Sequence, residues 1–145
     1  MLISLFTPTH NLQFLDRLAR SVARQTSAEF EWVIVPNGDA GEVRVDLPQA
    51  RIVPYEGQTK NIGELKRFAC LACRGDVLVE VDHDDELTPD CVAELAAAFA
   101  DPRVDFAYSN CCEINDGKPW RYDERFGWRY RPFAWNGQPQ WECVA

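Results

Sequence analysis

Asp76-Val-Leu-Val-Glu-Val-Asp-His-Asp-Asp-Glu86 is the stretch that decides the fold. Its apolar run, Val77 to Val81, is rich in Val and bounded by Gly75 before and Thr88-Pro89 after. That composition predicts a buried strand of a parallel sheet. The run closes in acid: Asp82, Asp84, Asp85 and Glu86, with His83 among them. These residues fall just past the carboxyl end of the strand, where open α/β sheets bind ligands. Carboxylates this close repel one another unless a cation lies between them, and hard divalent ions take carboxylate oxygens. An acidic run is more often a solvated loop, and acids ahead of a helix also favour its amino end. Position favours the metal, because the acids close a hydrophobic strand instead of lying in a polar linker. An EF-hand loop starting at Asp82 fails, with Leu87 where Gly is needed and Ala93 where Glu is needed.

Outward from this stretch, strand and helix alternate. Leu2 to Phe6 is a first strand, broken by Thr7-Pro-Thr-His-Asn11 because Pro8 fixes its own φ and restricts Thr7. Asn11 suits an N-cap, and Leu15, Leu18, Ala19 and Val22 recur at helical spacing, so a helix is predicted to about Gln25. Phe30 to Val35 is a second strand, closed by the turn signal Pro36-Asn-Gly-Asp39. Residues 40–49 read as loop. Arg51 to Tyr55 is a weaker third strand, placed at an edge by Pro54. A second helix is predicted from about Lys60 to Arg74, with Ile62, Leu65, Ala69 and Ala72 as its apolar stripe and Gly75 to end it. After the acidic strand, Thr88-Pro89 reads as an N-cap followed by Pro in the first helical position. Val92, Leu95, Ala96 and Phe99 mark that third helix, and Asp105 to Ser109 a fifth strand.

This alternation is the pattern of an α/β, doubly wound, mostly parallel sheet with flanking helices. The 145 residues make one domain by size, with an α/β core over residues 1–110 and a Trp/Arg-rich irregular part over 111–145. Trp120, Trp128, Trp135 and Trp141 lie there with Arg121, Arg125, Arg129 and Arg131 among them. Such interleaving can serve nucleic acids. The net charge of −8 argues against a nucleic-acid partner but leaves room for a nucleotide. A subdomain packed on the sheet, or an interface, fits the stretch better, and an exposed Trp-rich tail would invite a homodimer. Hydrophobic residues at 46% and charged residues at 26% are an ordinary globular balance.

The six cysteines include Cys70-x-x-Cys73, but this pair lies late in a predicted helix, where no thiolate is stabilised. No second pair stands at zinc spacing, so reduced and mostly buried thiols are expected. Neither a leader nor an apolar run of membrane length is evident, which makes the cytoplasm the default location.

Under this topology the ends of strands one, two and four share a rim. They bring Thr7 and Thr9, then Asn37 and Asp39, then Asp82, Asp84 and Asp85. A polar, acidic rim suits a nucleotide held partly through a metal. No Gly-x-Gly-x-x-Gly follows the first strand and no Gly-Lys-Ser/Thr loop exists, so dinucleotide and P-loop sites are disfavoured.

The ordered set resembles a family 2 glycosyltransferase of the GT-A fold, a nucleotide-diphospho-sugar transferase, over its donor-binding half. Four motifs carry the likeness across residues 2–110. The opening strand with Thr7-Pro-Thr-His-Asn11 is similar to the family's first nucleotide-binding turn. Glu31-Trp-Val-Ile-Val-Pro-Asn-Gly-Asp39 resembles the segment where the family usually has two acids before Gly; Pro36-Asn37 stands in their place. The helix from Lys60 resembles the family's basic helix, and Val81-Asp-His-Asp-Asp85 matches its Asp-x-Asp signature.

The resemblance implies roles. Thr7 and Thr9, with Pro8 between them, and Asn37 or Asp39 would line the base and ribose pocket. Lys66 or Arg67 would support the nucleotide or its phosphates. Asp82 would face the ribose or the metal's water shell, and Asp84 would ligate Mn²⁺ or Mg²⁺. His83, within the same nucleotide-binding motif, is a spacer rather than a metal ligand, since a hard ion prefers oxygen. A nucleotide-diphospho-sugar, foremost a UDP-sugar, would be the donor, transferred to an acceptor hydroxyl with inversion. The family normally has a carboxylate that deprotonates the acceptor; Asp123, Glu124 and Glu142 are available acids, without a fixed geometry. Two other readings are a binding module that has lost acceptor chemistry and a receiver-like signalling domain. The receiver pattern needs acid at the ends of strands one and three, whereas here strand one ends in Thr-Pro-Thr.

Overall fold

A computed structural model of the chain describes residues 1–108 other than 28, 39, 58 and 60, and the backbone of 112–115, 118–121, 129–135 and 138–144. The chain divides into two compact units, Met1–Ala107 and Tyr108–Ala145.

The first unit is a four-stranded parallel sheet, ordered β3-β2-β1-β4, with three helices. Its strands are β1 (Ile3–Thr9), β2 (Phe30–Pro36), β3 (Ala50–Ile52) and β4 (Val77–Glu80). Its helices are α1 (Leu15–Ala23), α2 (Ile62–Ala72) and α3 (Cys91–Ala98). Side-chain alternation sends two apolar sets to opposite faces. Ile3, Leu5, Trp32, Ile34 and Val77 pack with Leu15, Leu18 and Val22 of α1 and Val92 of α3. Phe6, Val33 and Val35 pack on the other face with Ala69 of α2. Helices on both faces make the sheet doubly wound, as the alternation predicted.

Several local expectations resolve differently. The first helix begins after Phe14, not at Asn11; the Asn11 Oδ1 accepts from the Gln13 N–H in a turn ahead of it. The third helix is preceded by Asp90, and Thr88 does not cap it through its side chain. Instead the Val92 N–H donates to Oε1 of Gln25, at the far end of α1. The Gln25 Nε2 in turn donates to the carbonyls of Ser21 and Thr88, tying α1 to the start of α3. Asn61 caps α2, its Oδ1 accepting from the Gly63 N–H. Gly75 does not end that helix with a left-handed turn. A Cβ there would stand 2.7 Å from the Leu2 carbonyl oxygen and 2.7 Å from Ser4 Oγ, so the position requires glycine for close approach to β1.

The Val-rich run is buried only at alternate positions: Val77 and Val81 are interior, whereas Leu78 is exposed. Among the described residues β4 pairs with β1 alone, so it lies at an edge of the sheet. Residues 105–108 adopt no strand, and Phe106 is exposed; Ser109, the last residue of that expected strand, lies outside the described residues.

Polar groups join the amino ends of the strands. Ser4 Oγ donates to Glu31 Oε1 at 2.7 Å and accepts from the Gly75 N–H at 2.8 Å. The Arg74 N–H donates to the same Glu31 oxygen at 2.6 Å, and Arg51 Nη2 pairs with Oε2 at 3.2 Å. Burial works against charge on Glu31, but the bonds from Ser4, the Arg74 backbone and Arg51 outweigh it and hold its pKa below the ordinary value.

Among its described residues the second unit holds two antiparallel pairs, β5 (Cys112–Asn115) with β6 (Lys118–Arg121) and β7 (Arg129–Trp135) with β8 (Gln138–Val144). The registers place Asn115 opposite Lys118 and Trp135 opposite Gln138. In the sequence, Asp116-Gly117 and Asn136-Gly137 fall between the paired strands. A stretch read for helical or strand period alone thus hides its strands.

Candidate functional site

The cleft forms where the strand order changes direction. β2 and β3 follow outward on one side of β1, and β4 lies on the other, which makes the β1–β4 boundary the topological switch point of the sheet. Phe6 is the last β1 residue paired with β4, opposite Glu80, whereas β1 stays paired with β2 to Thr9. The Val81 N–H makes one more bond, to the Phe6 carbonyl at 3.1 Å, and the chain then leaves the sheet. The acids are carried away from β1 at that point and a notch opens.

The resulting cleft, about 220 Å³, is lined by Pro8 and His10 after β1, Asn37 after β2, Lys66 of α2, and Asp82 and Asp84 after β4. His83 also borders it, with its ring 5.2 Å from that of His10 in an edge-on arrangement. Ile62 and Leu65 give it an apolar wall from the first turns of α2; Ile62 is 57% exposed, an apolar side chain left open toward the cleft.

Among the described residues, Lys66 is the cation that lines this cleft. Its Nζ contacts the Glu80 carboxylate and lies 3.6 Å from Asp82 Oδ1. The hydrogen bond that Lys66 donates to Glu80, above all, raises the Lys66 pKa, and the Asp82 charge adds to it, so the ammonium form is favoured. Arg17 of α1 holds the acidic loop from the other side. Its Nη2 donates to the Asp84 carbonyl at 3.0 Å, and its Nε lies 2.9 Å from Glu86 Oε1. Partial desolvation, then the like charges of Asp82 and Asp84, raise the Asp85 pKa.

The cleft gathers Pro8, Asn37, Lys66, Asp82, His83 and Asp84 from the residues read in the sequence. It does not gather the hydroxyls of Thr7 and Thr9, both of which are fully buried. Thr7 Oγ1 accepts from the indole Nε1 of Trp32 at 3.0 Å, and Thr9 Oγ1 donates to the Asn11 carbonyl. A buried indole N–H needs an acceptor, and β1 supplies it. Arg67 is exposed and does not line the cleft, because one helical residue turns it about 100° from Lys66. Asp39 lies outside the described residues, as do Asp123 and Glu124. His10 and Arg17 were not singled out from the sequence, and Ile62 and Leu65 were read only as part of the apolar stripe of the second helix.

No group of three or more Asp, Glu, His or Cys side chains among the described residues converges to hold a metal alone. Asp82 and Asp84 nevertheless face the same cleft. One or two carboxylates, completed by water and substrate phosphates, is how Mg²⁺-type ions are held at phosphate sites. The residues therefore fit a divalent ion that arrives with a phosphorylated ligand better than one held in a protein cage.

The family model described as "Glycosyl transferase family 2" matches residues 4–142. The O-antigen biosynthesis protein RfbC of Myxococcus xanthus is 31% identical over a 125-residue alignment that covers 75% of this chain and 9% of that protein. Among solved structures, S. aureus TarS 1–349 superposes with a TM-score of 0.62 at 18% identity, covering 80% of this chain and 40% of TarS 1–349. TarS 1–349 in complex with UDP-GlcNAc gives a TM-score of 0.60, at the same identity. The chain thus spans about 9% of the curated relative and 40% of that solved structure. Among the described residues no helix is long and apolar enough to cross a membrane.

Proposed function

Because the chain belongs to glycosyl transferase family 2, we propose that it is a nucleotide-sugar-binding glycosyltransferase domain whose donor diphosphate occupies the β1–β4 cleft. The observation that carries this reading is the meeting of Asp82, Asp84, Lys66 and Asn37 around one cleft at the switch point of a parallel sheet. Asp82 and Asp84 would hold Mn²⁺ or Mg²⁺. Such an ion, when bound, neutralises the diphosphate and stabilises it as it leaves. The Lys66 ammonium would add a second positive charge beside the phosphates. Asn37 brings an amide to the base and ribose end, while Ile62 and Leu65 offer an apolar wall there. Arg17 keeps the acidic loop in place without entering the cleft. The acceptor hydroxyl would attack the anomeric carbon as the bond to the diphosphate breaks, with the inversion usual in the family.

A UDP-sugar is the donor favoured here, supported by the fold shared with TarS, which has been solved with UDP and with UDP-GlcNAc. We also place the whole chain in one functional domain, acting in the cytoplasm, with β5 to β8 serving the acceptor side or a second copy.

Calorimetric titration of UDP, GDP and CDP, with and without Mn²⁺, tests the site. Metal-dependent binding of UDP that falls at least tenfold in Asp84→Ala is the expected result. No binding of any nucleotide under either condition would overturn the assignment.

A further inference from the structure

The pairing of Lys66 is more specific than phosphate binding requires. Its Nζ lies against Glu80, which projects from β4 on the α2 face, and also reaches Asp82 Oδ1 at 3.6 Å. Glu80 is the last residue of β4, and Asp82 lies in the loop that leaves the sheet. The Lys66 side chain is only 29% exposed although both partners are about half open to solvent, at 45% and 55%. The ammonium is thus seated between a fixed strand carboxylate and a carboxylate of the proposed metal pair.

We infer that Lys66 is an internal counter-ion, held by Glu80, that occupies the charge position of the divalent ion at Asp82 until metal and diphosphate arrive together. This rests on the reading of the cleft as a donor site. Asp82 and Asp84, which line one cleft, would otherwise have little compensation among the described residues, since Arg17 and Arg24 both pair with Glu86. A cation already 3.6 Å from a ligand oxygen must move or be opposed when a metal alone approaches. A diphosphate changes the balance, because its negative charge gives the ammonium a new partner. Metal alone should therefore bind weakly, metal with nucleoside diphosphate much better, and Lys66 should set the difference. Glu80 is a positioning residue in this scheme and acts only through Lys66.

The test titrates Mn²⁺ alone, then UDP at saturating Mn²⁺, into wild type, Lys66→Met, Glu80→Gln and the double variant. Removing the ammonium should tighten Mn²⁺ binding about tenfold while weakening UDP binding by a similar factor. Glu80→Gln alone should weaken Mn²⁺ binding, since Asp82 then takes the ammonium fully. In the Lys66→Met background Glu80→Gln should change Mn²⁺ affinity less than twofold, which a through-space or ligating role for Glu80 would not give. Lys66→Met with unchanged, lower or unmeasurable Mn²⁺ affinity overturns the counter-ion role. If UDP still binds wild type in that case, the donor site stands and only the counter-ion role falls; if UDP binds none of the proteins, the donor-site reading falls with it.

Discussion

Replacing Glu31 by Gln should loosen the amino end of the sheet by an amount that depends on pH. Glu31 Oε1 accepts from both Ser4 Oγ and the Arg74 N–H, and Oε2 faces Arg51, with the side chain only 13% exposed. Gln keeps one oxygen, enough for Ser4 and Arg74, but then turns its amide N–H groups toward the Arg51 guanidinium. The variant loses the charge from two hydrogen bonds and replaces an ion pair by opposed donors. Hydrogen bonds to charged groups are worth roughly 1.5–3 kcal/mol each, and part of that survives in the amide. We expect a loss of about 2–3 kcal/mol at pH 7. The sign with pH follows from the depressed pKa of Glu31 in the folded protein. Its contribution is complete above the ordinary carboxylate value of 4.5 and is lost as pH falls through the lower, folded value. Urea unfolding at neutral pH and in steps to about pH 3 checks this. The gap between wild type and Glu31→Gln should be widest at neutral pH and narrow below the ordinary value. A gap under about 0.5 kcal/mol at pH 7, or one that does not change on acidification, would refute the role given to this carboxylate.

Gly75→Ala should lower the melting temperature, since the new methyl would meet backbone atoms of β1, including the Ser4 nitrogen at 2.8 Å; the cost is about 1–3 kcal/mol. A melting curve unchanged from wild type would mean that β4 can withdraw freely. Thr7→Val strands the buried indole N–H of Trp32 and should cost about 1–3 kcal/mol in unfolding experiments. Its UDP affinity should stay within twofold; a larger loss would put the Thr7 hydroxyl back among the ligand contacts. Cys73, its pKa pushed up to about 11 mainly by burial, should resist alkylation of the native protein at pH 8 and react readily after unfolding. Equal rates in the two states, read by mass spectrometry, would contradict that burial.

The parallel order of the core was legible because each strand carries its own punctuation. Pro54 sent β3 to an edge, and the acids after Val81 marked the carboxyl rim. The roles of Thr7 and Thr9 were not legible: a threonine before and after a proline looks the same whether its hydroxyl meets a ligand or an indole. Only the register that pairs Thr7 with Ile34, two residues beyond Trp32, distinguishes the cases. Gln25 presents the same difficulty. Nothing local says that a glutamine ending one helix will take the Val92 N–H at the start of another. Arg17 reads as an ordinary surface residue of an amphipathic helix until the Asp84 carbonyl is seen beside it. The pairing of β5 with β6 and of β7 with β8 was not legible, because a stretch crowded with Trp and Arg shows no clear period.

The Glu31–Ser4–Gly75 knot and the cleft occupy opposite ends of the same sheet. Strand geometry separates them by roughly 15–20 Å, beyond the range at which substitutions usually couple. The domain is therefore built in two tolerances. One pole admits almost no change, because a methyl or a lost charge is felt by the backbone of three strands. At the other, side chains hang from strand ends and the first turns of a helix, where exchange leaves the ladder intact. Such a layout lets ligand preference drift through successive substitutions while the scaffold stays fixed. It also suggests where a selection for altered donors should direct its diversity: Asn37, Ile62 and His10, with residues 74 and 75 left alone.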